Sequence, residues 1–170
     1  MRPFAVSLSV ICLAAATYAH AGPRAASAPL LDTAGVRHGT VSIREKGNMI
    51  HGTVKATRME PGLHGMHIHE VGRCSGDGFS DARAHWNPQG RQHGLQNPLG
   101  AHLGDLPQLR IGADGKGRVR FVISTTMADL LGGDGSALVV HAKPDDDRTD
   151  PSGNSGARLL CAALGPAGPR

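Results

Sequence analysis

Gly62-Leu-His-Gly-Met-His-Ile-His-Glu70 is the stretch on which the reading of this chain turns. His67 and His69 stand two residues apart in a run that otherwise reads as strand, so both rings leave the same face, roughly 6 to 7 Å apart along the chain. That separation lets two imidazoles converge on one metal ion. An isolated His-x-His is more simply a polar strand whose rings hydrogen-bond neighbours. This one is followed by His85, His93, His102, Asp105 and His141, each in a Gly, Pro or Asn-rich setting or at the end of a strand-like run. The chain carries more imidazoles than a core neutralises with ordinary hydrogen bonds, and a metal site is the economical account.

Outward from that stretch, strand and turn signals alternate. Thr40-Val-Ser-Ile-Arg44 and Ile50-His-Gly-Thr-Val-Lys-Ala56 each alternate in polarity around a Gly47-Asn48 turn, the pattern of a β-hairpin. Leu109 to Ile111 and Arg118 to Ile123 flank a turn at Asp114-Gly115 and predict a second. Ala137 to His141 predicts a strand ending on a histidine, Arg158 to Leu164 a closing strand, and Met127 to Leu131 a brief helical turn. Short strands with turn-rich joints and no sustained helical period imply an all-β, antiparallel sandwich or barrel. Between Glu70 and Leu106 the chain is mostly Gly, Asp, Asn, Pro, Arg and His, with too few apolar residues to hold itself by burial. A loop of that length signals function. Metal and disulfide, rather than a core, are expected to fix it.

The 170 residues suit one domain. Met1-Arg-Pro, the apolar run Phe4 to Ala16 and the Ala19-His20-Ala21 cleavage pattern mark residues 1–21 as a secretory signal peptide, cut before Gly22. Residues 22–38 read as a lead-in without stable period, whose order the sequence leaves open; 39–165 form the domain, and 166–170 a tail. Cys12 leaves with the signal, so Cys74 and Cys161 remain as a pair in an oxidising compartment, periplasmic or secreted. Their disulfide would span 87 residue steps and contribute roughly 4 to 5 kcal/mol on the chain-entropy model. The formal charge of +4 becomes +3 once Arg2 is lost. The charges look scattered rather than clustered, and aromatics to stack bases are scarce, which argues against nucleic acid; no membrane partner is expected after signal cleavage. A diffuse positive field suits a small anion.

By ligand type the residues divide into two sets. His67, His69, His141 and one further histidine suit copper; His93, His102 and Asp105 suit zinc. Each set is one ligand short, and His85 lies between them. Bound through both ring nitrogens, it completes both.

These residues carry a resemblance to the copper/zinc superoxide dismutases of the secreted bacterial kind. It runs from about Gly39 to Leu164 through Gly62–Glu70, Ala84-His-Trp-Asn-Pro88, His93-Gly94, His102-Leu-Gly-Asp-Leu-Pro107, Val139-Val-His-Ala-Lys-Pro-Asp-Asp146 and Pro151–Cys161. The resemblance implies an immunoglobulin-like Greek-key barrel with long metal-binding and electrostatic loops. It implies copper on His67, His69, His85 and His141, and zinc on His85, His93, His102 and Asp105. Asp145 would tie one copper histidine to His93, Arg158 would draw and orient superoxide, and Cys74 would pair with Cys161. His64 matches a structural histidine outside the metal set, and Lys143 and Arg148 lie in the electrostatic loop. The implied activity is disproportionation of superoxide to O2 and hydrogen peroxide through Cu(II)/Cu(I) cycling, with His85 carrying a proton. The alternative is a secreted copper/zinc binding protein without turnover. Whether the chain is a monomer or a homodimer stays open.

Overall fold

Alternating burial builds the regular part of the molecule. The computed structural model describes residues 24–165. In chain order the strands are β1 (Ala25–Leu31), β2 (Arg37–Lys46), β3 (Met49–Ala56), β4 (Gly62–His64), β5 (Met66–His69), β6 (Leu109–Ile111), β7 (Gly117–Ile123), β8 (Ser136–His141) and β9 (Arg158–Leu164). A five-residue helix, α1 (Met127–Leu131), is capped by the Thr126 hydroxyl, which accepts from the Asp129 N–H. All strand pairings are antiparallel, in the order β4-β6-β7-β3-β2-β1-β9-β8-β5.

That order closes the sheet. β4 and β5 stand at opposite ends of it, yet only Gly65 separates them in the chain, so the two edges must meet. At the seam, Gly65 N–H donates to the Lys143 carbonyl and the Gly65 carbonyl accepts from His141 N–H, each at 2.8 Å. A Cβ at Gly65 would stand 2.6 Å from Ser155 Oγ, so the close approach requires glycine. The barrel interior is filled from every strand but β4, by residues such as Leu30, Val41, Ile50, Val54, Ile68, Leu109, Phe121, Leu138 and Leu160.

Two expectations need correction. The stretch read as a lead-in contains β1, which pairs with β2 from Ala25↔Arg44 to Leu31↔Arg37 and buries Ala28 and Leu30. Its run of alanines, with a proline and no β-branched residue, has weak strand propensity. Pro29 is tolerated because the pairing of β1 with β9 is confined to Leu31↔Cys161, leaving most of the other edge free. The loop after β5 also holds more apolar surface than its composition suggests. Phe79 and Ala82, on a 3₁₀ turn at Asp77–Ala82, pack with Ala137, Val139 and Cys161 in a second small cluster on the outside of the barrel. The signal-peptide reading (1–21) and the tail (166–170) lie outside the described residues. No helix among the described residues is long and apolar enough to cross a membrane.

Candidate metal centre

The two-residue period of β5 sends Met66 and Ile68 into the barrel core and leaves His67 and His69 facing the long loops. β8 does the same with Leu138 and Val140 inward and Ala137, Val139 and His141 outward. Pairing of β5 with β8 sets His67 opposite Val139 and His69 opposite Ala137, so three imidazoles share one patch of outer surface. Along β8 and β9 regular pairs run to Val140↔Leu160, after which the register shifts and His141 faces Arg158. Without that bulge His141 would meet Leu159. The bulge brings the guanidinium to the histidine patch.

The loop residues are hung on β5 by backbone bonds. Trp86 N–H donates to the Ile68 carbonyl, Ile68 N–H to Gly104 and Gly104 N–H to Trp86, at 2.8 to 2.9 Å. Isolated bridges set His85 beside His69 and Asp105 beside His67. His93 N–H donates to Asp150 Oδ1 at 2.6 Å, and both Gly94 N–H (2.9 Å) and His102 N–H (3.0 Å) donate to Asp105 Oδ2, leaving Oδ1 free to face the rings.

Two clusters result. His67, His69, His85 and His141 each bring a ring nitrogen within 4.8 Å of the others. In the second, His85 Nδ1, His93 Nδ1 and His102 Nδ1 lie 3.1, 3.0 and 3.2 Å from Asp105 Oδ1. Ligand atoms about 2.0 Å from a tetrahedral centre sit about 3.3 Å apart, close to this spacing. The atoms left without partners carry the same message. His67 Nδ1, His69 Nε2, His85 Nε2 and His141 Nε2 are buried with no hydrogen-bond partner, as is His102 Nδ1. Buried unpaired polar atoms are costly, and several of them aimed at one another suit a shared cation.

The far side of each ring is held. His67 Nε2 meets Asp145 Oδ2 at 2.5 Å, and His93 Nε2 meets Asp145 Oδ1 at 3.0 Å, so one carboxylate spans both clusters. His69 Nδ1 lies 2.8 Å from the Arg83 carbonyl and His141 Nδ1 3.1 Å from the Gly156 carbonyl. A carbonyl only accepts, so these nitrogens carry the proton and each Nε2 keeps a lone pair for a metal. His64 differs: its Nδ1 faces the His141 carbonyl (2.8 Å) and its Nε2 the Glu60 carbonyl (3.1 Å), leaving no atom for a cation.

Burial sets the protonation states. It depresses His67 to about 3, against the pull of Asp145, His69 to about 2 and His141 to about 4, and it also lowers His85. Neutral imidazole is the ligand form. For His93 burial works the same way, but hydrogen bonds to Asp105 and Asp145 outweigh it and push the ring up to about 10. Burial also opposes charge on both carboxylates; hydrogen bonds from His85, His93 and Gly94 nonetheless hold Asp105 below the usual range, and those from His67, His93 and Asp147 do so for Asp145.

Arg158 is partly buried and pairs opposite His141, near enough for its charge to help depress His69 and His141. Its Nη1 and Nη2 donate to the carbonyls of Phe79 and Arg83, each at 2.6 Å, and it lines an open groove with Gly78, Ser80, Arg83, Gly156 and Ala157. Cys74 and Cys161 are disulfide-bonded, with Cα atoms 5.8 Å apart, tying this loop to β9. Of the electrostatic-loop cations, Arg148 donates to Gln96 Oε1 at 3.0 Å. Sequence reasoning missed Arg83, whose carbonyl accepts from both His69 and Arg158 and whose φ of 63° is left-handed. It also missed Gly153, where a Cβ would overlap the Asp145 carboxylate. A backbone carbonyl carries no residue-type signal; a left-handed glycine two positions after Pro151 was legible as a turn.

Comparison with known proteins agrees with this geometry. The family model for copper/zinc superoxide dismutase matches residues 37–164. The superoxide dismutase-like protein YojM of Bacillus subtilis is 41% identical over 145 residues, covering 79% of this chain and 73% of its own. Superoxide dismutase [Cu-Zn] 2 of Aquifex aeolicus is 36% identical over 148 residues, covering 82% and 85%. The solved Cu/Zn superoxide dismutase of Brucella abortus superposes with a TM-score of 0.68 at 30% identity, covering 82% of this chain and 99% of that one. With a matching domain, a shared barrel and two histidine clusters on its outer wall, the chain belongs to the copper/zinc superoxide dismutase family.

Proposed function

We propose that this protein is a working superoxide dismutase, turning two superoxide anions and two protons into O2 and hydrogen peroxide. The observation that carries the reading is the His85 ring: its Nδ1 belongs to the cluster around Asp105, while its buried, unpartnered Nε2 belongs to the cluster of His67, His69 and His141. The donor sets fit copper on His67 Nδ1, His69 Nε2, His85 Nε2 and His141 Nε2, and zinc on His85 Nδ1, His93 Nδ1, His102 Nδ1 and Asp105 Oδ1. When bound, copper supplies a one-electron couple and zinc a redox-silent fixed charge.

The chain's own groups do the rest. Arg158, with its guanidinium braced by two carbonyls, attracts the anion and holds it beside the His141 face. His85 Nε2 takes a proton in the first half-reaction and gives it up in the second, while its Nδ1 side keeps the ring aimed. Asp145 fixes His67 and His93 together, so the two halves of the site cannot drift apart. The disulfide supports export to an oxidising compartment.

Metal content and superoxide turnover measured on one purified sample test the reading. About one copper and one zinc per chain are expected, with turnover lost in His141→Ala. Fully metallated protein without turnover would leave a secreted metal-binding protein instead. N-terminal sequencing of the exported form, expected to begin at Gly22, tests the localisation.

A further inference from the structure

Charges that look scattered along the sequence are gathered by the sheet register. On the outer face of β7, β3 and β2 the outward residues are Arg118, Arg120 and Val122; Met49, His51, Thr53 and Lys55; and Thr40, Ser42, Arg44 and Lys46. Arg110 of β6 extends the row, since Ile111↔Gly117 brings it beside Arg118. Six Lys or Arg side chains thus share one outer face of the barrel, which carries no aspartate or glutamate. Glu45, the carboxylate within β2, has the opposite parity and accepts from Met127 N–H at 3.1 Å.

Lys55 and Arg118 are direct cross-strand partners, an arrangement of like charges that costs stability in a bare sheet. Among the described residues the Lys and Arg ion pairs are Arg73–Asp134 and Lys116–Asp114, so none of the six is neutralised. Two of the exposed large apolar side chains, Met49 (43% exposed) and Val122 (51%), lie among these cations. The face also lacks aromatics, which removes the stacking platform a nucleic acid would use.

We propose that, against the sequence expectation of no membrane partner, this face docks on the surface of an anionic phospholipid bilayer, a role separate from the metal site. An unpaired cluster of cations matches a field of phosphates in charge, and Met49 and Val122 supply apolar contact at the headgroup boundary. In the closed strand order the candidate metal site, over β5 and β8, lies across the barrel from β7 and β3, so a docked molecule keeps its groove open to solvent.

Co-sedimentation of the purified protein with vesicles tests this, read as binding to phosphatidylglycerol/phosphatidylcholine vesicles in excess of binding to phosphatidylcholine alone. The increment should be clear at low salt and vanish near about 0.5 M salt. Arg118→Glu with Arg120→Glu should lower it at least about tenfold with superoxide turnover intact. If that variant fails to fold, Lys55→Glu gives the same readout with a smaller drop. No increment over phosphatidylcholine, or an increment unchanged in the variants, overturns the proposal. So does tighter binding to soluble heparin or DNA than to the vesicles, which would assign the face to a soluble polyanion.

Discussion

The strands β1, β2, β3 and β7 and the two connections after β5 and β8 hold their shapes by different means. In the strands every second residue is buried against the same core, and continuous ladders, such as the eight register pairs of β2 with β3, satisfy the backbone. In the connections, residues 70–108 and 142–157, shape rests on backbone bonds to β5, carboxylates such as Asp105, Asp145 and Asp146, a few core contacts from Trp86, Leu103 and Leu106, one small outer apolar cluster and a disulfide. Polar anchoring of this kind aims buried ring nitrogens at one another, an arrangement that a cation would satisfy. On the proposed reading the first region folds as a scaffold, and the second would be completed by metal.

Metal removal should separate the two most sharply. Stripping metal from the loaded protein is expected to lower local opening energies across the two connections by about 5 kcal/mol or more, with β2, β3 and β7 losing far less, as read by amide hydrogen exchange. A uniform loss across the barrel would erase the distinction.

Leu30→Ala is the converse probe. Leu30 is fully buried in the common core, and its truncation should cost about 2–5 kcal/mol in denaturant unfolding while metal stoichiometry stays unchanged. An effect under about 1 kcal/mol would return β1 to the status of a lead-in.

That strand marks where the sequence stopped being informative. β2, β3 and β7 announce themselves through alternation and β8 through a β-branched apolar run, whereas Ala25 to Leu31 offers neither and is recruited by tertiary pairing. The histidines of the two candidate clusters were legible because imidazoles at a two-residue spacing and at a strand end are chemically conspicuous. The carbonyls of Arg83 and Gly156, which choose the tautomers of His69 and His141, were not, since any residue has a carbonyl. The cationic face was hidden for a third reason. Its members come from four strands, and only their register makes them neighbours.

Asp145→Ala should weaken metal binding about 10–100-fold, read by competition with a chelator, while leaving the barrel's unfolding midpoint in the metal-free state nearly unmoved. Acid should also act first where β5 and β8 meet the connections. In metal-free protein His67, His69 and His141 have folded pKa values of about 3, 2 and 4, below the ordinary value near 6.5. The unfolded chain then takes protons that the folded chain refuses, so stability present above about 6.5 is lost as pH falls through those values. His93, pushed up to about 10, contributes in the opposite sense, adding stability below about 6.5 that fades as pH rises through 10. Equilibrium unfolding of the metal-free protein between about pH 7 and 4 should fall with pH; a flat profile would contradict the burial of those rings.

The smallest effect is expected at Arg83→Gly. Removing a side chain from φ 63°, ψ −143° should stabilise the protein by about 1 kcal/mol in thermal or denaturant unfolding, since only glycine occupies that region freely.

The shared ring of His85 is tested most directly by anomalous diffraction from crystals of the metal-loaded protein, recorded at the copper and zinc edges. Two separate peaks are expected, copper among His67 Nδ1, His69 Nε2, His85 Nε2 and His141 Nε2, and zinc among His85 Nδ1, His93 Nδ1, His102 Nδ1 and Asp105 Oδ1. A single ion, or a His85 ring bound through only one nitrogen in the oxidised protein, would contradict the account.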